Sequence, residues 1–446
     1  MSEPSRTEPG GSWRRWLLAV VLVIAVGGAA AGGLVWRGGD GGGSDAEAKT
    51  SDVVVTSTPS AVAQVDAAAQ SEAVDALLRR RADAVLRRDA AKFLADVDPT
   101  NAKLVAKQKE LFANLVQFGF AKLSYEQDRA QFEQALEDKY GPSVYLVGVA
   151  MVYQIRGIDA QPVRTMVGYT FLPKAGRLVL IDDAHLDGAL PPGSHLEPWD
   201  VGPVLVRRAP RALVVVEKGR TELAASILKD AVSAVKAVSR EWSAGWKGSG
   251  VVIALDDRKV RTADYTVPKN AEDVLAMATN VYRTLPGEVE TAGEEVGSYV
   301  VVNPAFRDDL DARHLAHEFT HVAAAPYGAY APRWMVEGAA EYVELLPMDG
   351  EREMDLDRYR RTVRSKYLAK AKVMPDDRVF YKTMDSSYAI GWYAVDHLID
   401  KYGAAKFAKL YQDLARKGFT QTQRDLVFTE QLGKTEAQLF TELKRG

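Results

Sequence analysis

At 446 residues and 47% apolar, the chain can bury more than one core, and two folded domains are the natural expectation. A formal net charge of −3, with no basic cluster beyond the N-terminus, argues against a nucleic-acid partner. Cysteine is absent, which excludes disulfides, thiol catalysis and cysteine-held metal, and leaves His and carboxylate as metal ligands.

Residues 16–36 carry no charge. As a helix they would span about 31 Å, enough to cross a bilayer core. Arg6, Arg14 and Arg15 precede this stretch, and Arg37 alone follows it before a run of Gly and Asp. The positive-inside bias therefore puts residues 1–15 in the cytoplasm and everything after residue 37 outside. Trp13, Trp16 and Trp36 suit the two interfaces. The expectation is a single-pass membrane protein with its body extracytoplasmic. Ala29-Ala30-Ala31-Gly32 leaves a cleaved signal peptide as the alternative, but the apolar stretch is long for one.

Residues 37–69, rich in Gly, Ser, Ala, Thr and Asp, read as a flexible linker. Residues 70–190 read as an α+β accessory domain. Apolar residues recur at helical spacing from Ser71, a second helix is expected over 102–118, and strand-like alternation follows at 144–155, 163–172 and 177–182. The order resembles the cystatin or nuclear-transport-factor-2-like cone, and nothing in it carries recognisable chemistry. The proline-rich stretch 191–198 reads as a boundary.

Beyond it, strands are expected at 204–206, 213–216, 251–255 and 296–303, a long helix at 224–242 and a short one at 271–278. A helix capped by Asp308 or Asp309 then runs to about Ala325. Further helices are expected at 332–346, 355–371, 386–401, 404–416 and 421–432.

The chemistry concentrates in His317-Glu318-Phe319-Thr320-His321, in a chain with only six histidines. Residues i and i+4 lie about 40° apart around a helix, so both imidazoles reach one metal and Glu318 sits beside the water that the metal polarises. With fifteen residues between it and His321, Glu337 opens a second helix within Trp334-Met335-Val336-Glu337-Gly338-Ala339-Ala340-Glu341-Tyr342. A catalytic zinc takes three protein ligands and keeps one position for water, which makes Glu337 the expected third ligand. Glu341, one turn on, is placed to accept the free N–H of a ligating histidine. His314 reads as structural or substrate-side, and Arg333 as a surface residue; His185, His195 and His397 have no partner visible in the sequence.

The two segments together resemble the gluzincin metallopeptidases, in particular the peptidase-MA-like and aminopeptidase-N-like branch, over roughly the last 250 residues. The resemblance implies Zn2+ on His317, His321 and Glu337, Glu318 as catalytic base, and a mixed sheet subdomain followed by a helical one over 198–446. It also implies that Tyr388, in Ser387-Tyr388-Ala389-Ile390-Gly391-Trp392-Tyr393, donates to the oxyanion, with Tyr381 and Tyr393 as neighbouring alternatives. The interval from His321 to Glu337 is shorter than in typical aminopeptidases, and no Gly-x-Met-Glu-Asn segment is present, so endo- and exopeptidase action both stay open. The expected activity is hydrolysis of a peptide or protein. A catalytically inactive, zinc-stabilised surface binding protein is the alternative.

Overall fold

A strand that is apolar on both faces has to be covered on both sides, and the run Ala212–Glu217 is of that kind. The computed structural model describes residues 61–445 apart from 132–133, 185–196, 243–245, 247, 257–274, 284–293 and 350–351. The expected membrane segment, His185 and His195 lie outside the described residues. Among those described, no helix is long and apolar enough to cross a membrane.

The chain is a mixed α+β protein. Its front part comprises α1 (Ala61–Leu86), α2 (Ala90–Ala95), α3 (Ala102–Phe118), β1 (Phe120–Gln131), α4 (Gln134–Tyr140), β2 (Tyr145–Ile155), β3 (Val163–Lys174) and β4 (Arg177–Asp182). Helix α1 begins ten residues before the expected start, so the end of the expected linker is helical. Asn101 caps α3 by accepting from the Leu104 N–H, and Gly119 ends it in the left-handed region at φ 65°.

The strands that follow are β5 (Val204–Ala209), β6 (Ala212–Glu217), β7 (Gly250–Ile253), β8 (Ala276–Arg283) and β9 (Glu294–Val302), with α5 (Thr221–Glu241) after β6. Helices α6 (Ala312–Ala324), α7 (Arg333–Glu344) and α8 (Leu356–Thr362) come next, α8 running on as a π-helical turn at Val363–Leu368. The chain closes with α9 (Met384–Tyr402), α10 (Ala404–Lys417), α11 (Gln421–Leu432) and α12 (Glu436–Arg445).

Among the described residues, nine strands form one sheet in the order β1-β2-β3-β8-β9-β7-β6-β5, with β4 beside β3. β6, β7 and β9 run parallel to one another, whereas β5 pairs antiparallel with β6 and β8 antiparallel with β9. Within the sheet, the front and back parts are joined by a single parallel pair, Arg164 with Arg283. Side chains alternate between two cores. Val214, Val252, Val300 and Val302 face α5, α6 and the helical region. Leu213, Val215, Val251, Ile253, Tyr299 and Val301 face the other way, into a core shared with α1, α3 and β1–β3. The core of residues 70–190 is thus closed by strands that lie beyond the expected boundary.

Two expectations are corrected. Residues 276–278 belong to strand β8 and not to a helix, because their backbone pairs with β9 from Ala276↔Val302 onward. The cap of α6 is Asp311 and not Asp308 or Asp309, which sit in the 3-10 turn Pro304–Asp309; the Asp311 carboxylate accepts from the N–H groups of Arg313 and His314.

What fixes the site is the contact between α7 and α9. A methyl group on Gly338 would fall on the Gly391 backbone, and one on Gly391 on the Trp334 carbonyl, so the two helices touch main chain to main chain. Gly338→Ala is expected to lower stability by about 3 kcal/mol through overpacking, read as a shift in denaturant midpoint. Just after β2, burial pushes the Asp159 carboxyl up to about 7, although the Ile155 N–H and Arg208 oppose the shift. A carboxyl raised in the folded state contributes full stability below the unfolded value near 4 and loses it as pH rises through about 7. Asp159→Asn, which keeps an acceptor for Ile155, is therefore expected to raise the melting temperature more at pH 8 than at pH 5; equal gains at both would contradict this.

Candidate metal centre

Helix α6 is buried along its whole length except at His314, which is why its residues alternate between apolar packing and the His-Glu-x-x-His set. Phe319, fully buried, packs where only Gly250 of β7 leaves room. Arg313, buried as well, donates from Nη1 to the Glu344 and Leu346 carbonyls at 2.7 and 3.2 Å and from Nη2 to the Arg352 carbonyl at 2.7 Å. One arginine thus satisfies the open carbonyls at the end of α7 and fixes the two helices against each other.

In that arrangement His317 Nε2 and His321 Nε2 each lie 3.5 Å from Glu337 Oε2. All three atoms are buried and none has a hydrogen-bond partner. At 3.5 Å an imidazole and a carboxylate are too far apart for a good hydrogen bond. Two ligands held about 2.0–2.1 Å from a tetrahedral ion lie about 3.4 Å apart, which matches the observed spacing. His317, His321 and Glu337 form a group that could hold a metal ion. Burial opposes the charge on Glu337, and the two imidazoles more than offset it, keeping the carboxyl well below its usual range. No family model matches the chain, and no curated protein matches it.

Around these atoms stands a shell of hydrogen bonds. His317 Nδ1 lies 2.8 Å from Glu344 Oε2, whereas Glu341 Oε1 is 3.8 Å away. The partner expected at Glu341 is therefore Glu344. At i+7 from Glu337 it returns to within about 20° of the same helix face, closer than i+4, and it meets the far side of the His317 ring. Glu341 lies beside it, its carboxyl pushed up to about 8 by burial and by the Glu344 charge. Glu337 Oε1 accepts from Tyr381 Oη at 2.8 Å, and Tyr381 Oη accepts from Arg333 Nη1 at 2.6 Å. Arg333, read from the sequence as a surface residue, is part of the site's surroundings. His314 pairs with Asp311 at 2.9 Å and His397 with Glu442 at 2.8 Å.

Glu318 is 2% exposed, and its Oε2 accepts from the Ala278 N–H of β8 at 2.8 Å. Burial raises its carboxyl above the usual range, against the pull of His317 and His321. Tyr388 is buried beside the site, its ring 6.4 Å from that of His317 and 5.1 Å from that of Phe380. The structure thus brings His317, Glu318, His321, Glu337 and Tyr388 together from α6, α7 and α9. Sequence reasoning missed Glu344, the Arg333–Tyr381 pair and the β8 backbone; only Glu344, on the Glu337 face, left a periodic signal.

Protein purified without chelator is expected to carry one divalent ion per chain by elemental analysis, and Glu337→Ala to lose it. Removing the ion should lower the melting temperature, since an ion at 100 times its Kd adds about 2.7 kcal/mol.

Proposed function

We propose that the chain is a zinc metallopeptidase of the gluzincin type, anchored in a membrane by residues 16–36, with its catalytic part on the outer side and a peptide or protein as substrate. The observation that carries this reading is the convergence of three buried, unpartnered ligand atoms on one point, with Glu318 one residue from the first of them. The donor set of two imidazoles and one carboxylate is that of a catalytic zinc site, three protein ligands with a fourth position for water.

A zinc ion held by His317, His321 and Glu337 would supply Lewis acidity, lowering the pKa of a bound water toward about 7 and polarising a carbonyl. The residues supply the rest. Glu318 has Oε2 engaged by the Ala278 N–H, so Oε1 would be the atom to take a proton from the attacking water and return it to the leaving amine. Tyr388, beside His317, is the donor for the oxyanion. Glu344 on His317 Nδ1 holds the ring with Nε2 toward the metal.

The second reading, a metal-stabilised binding protein without catalysis, draws on the depth of Glu318 and on its contact with Ala278. One experiment separates the two. Glu318→Gln, assayed against a peptide library with metal content measured alongside, is expected to keep its ion and lose roughly 10²–10⁴-fold in cleavage rate. Undiminished cleavage in that variant would sink the peptidase mechanism, and a wild-type protein that holds its ion but cleaves nothing would favour the binding protein.

A further inference from the structure

We infer that Tyr381 is a positioning residue that holds Glu337 to a metal by one oxygen, with Arg333 fixing the direction of its proton; this rests on the metal site proposed above. Glu337 is fully buried, so each of its oxygens needs a partner. Oε1 has one, the Tyr381 hydroxyl at 2.8 Å. Oε2 has none and faces both imidazoles.

The direction of the bond is set by chemistry. An arginine has only donors, so the lone pair of Tyr381 Oη faces Arg333 Nη1 at 2.6 Å. The single phenolic proton is then left for Glu337. Arg333 cannot easily swing away. Its guanidinium lies 4.9 Å from the centre of the Tyr381 ring, and its backbone N–H donates to Asp377 Oδ1 at 2.7 Å. Asp377 in turn accepts from Arg424 Nη2 at 2.5 Å.

A carboxylate can meet a metal through one oxygen or two. With Oε1 occupied by a donor, the second contact is blocked, and one more coordination position stays open for water or a substrate carbonyl. Tyr381 thereby controls the coordination number without touching the ion. Glu344 does the matching task on the other side by engaging His317 Nδ1.

The test uses cobalt(II) as the probe metal in the full chain, because four-coordinate cobalt absorbs visible light more strongly than five-coordinate cobalt. Wild-type protein is expected to show the intense spectrum. Tyr381→Phe is expected to show weaker bands as Oε1 joins the ion, with zinc affinity, measured by competition with a chromophoric chelator, altered by roughly 10–100-fold. A cobalt spectrum identical to wild type overturns the inference even if affinity drops, since that pattern marks a general structural role. If wild-type protein takes neither metal, the metal reading itself fails, a result distinct from a loaded wild type matched by its variant. Should Tyr381→Phe fail to fold, Arg333→Met replaces it: a smaller weakening of the same bands supports the inference, and an unchanged spectrum overturns it.

Discussion

Three buried polar atoms without partners are expensive, on the order of 1–3 kcal/mol each, and much of the neighbouring structure exists to hold them converged. Left to themselves, an imidazole and a carboxylate would close from 3.5 Å to hydrogen-bond range. They are held apart because their other atoms are already committed. His317 Nδ1 is engaged by Glu344, Glu337 Oε1 by Tyr381, and the helices that carry them by Arg313. The result is a set of three atoms already at the separation that a tetrahedral ion requires, so little rearrangement would oppose the binding of one.

The fold supplies the rigidity this needs. Central strands buried on both faces place α6 over a firm floor, and β8 brings the Ala278 N–H to Glu318. β8 is also the one described element that touches Glu318 through main chain. A backbone donor there holds the carboxylate whatever side chains occupy the strand, which accounts for the absence of any side-chain signature for this contact.

Much of the site was legible because helix geometry leaves a strict trace. The four-residue spacing of His317 and His321, followed by a second helix opening on Glu337, is enough to predict three atoms meeting. The partners of those atoms were harder, since Tyr381 comes from a 3-10 turn at Phe380–Thr383, 44 residues beyond Glu337, and Arg333, one turn before Glu337 on α7, reaches it only through Tyr381. In the fold, the strands expected at 144–155 and 163–172 are present as Tyr145–Ile155 and Val163–Lys174, long apolar runs buried along most of their length. β1 was not expected. A register shift between Phe120 and Lys122 breaks its two-residue period, so its buried Phe120, Leu123 and Tyr125 fall out of step. At Ala276–Ala278, the helix-favouring Ala-Met-Ala run gave way to pairing with β9, a case of tertiary contacts overriding propensity.

The glycine contact between α7 and α9 reaches beyond packing. Gly338 follows Glu337 directly, and Gly391 lies three residues from Tyr388. Main chain pressed on main chain has no rotamers with which to absorb a displacement, so Glu337 and Tyr388 ride on what is mechanically a single plate. Arg313 rivets α6 to the same plate. A displacement of Glu337 is therefore transmitted to Tyr388 on α9 and, through Arg313, to His317 and His321 on α6.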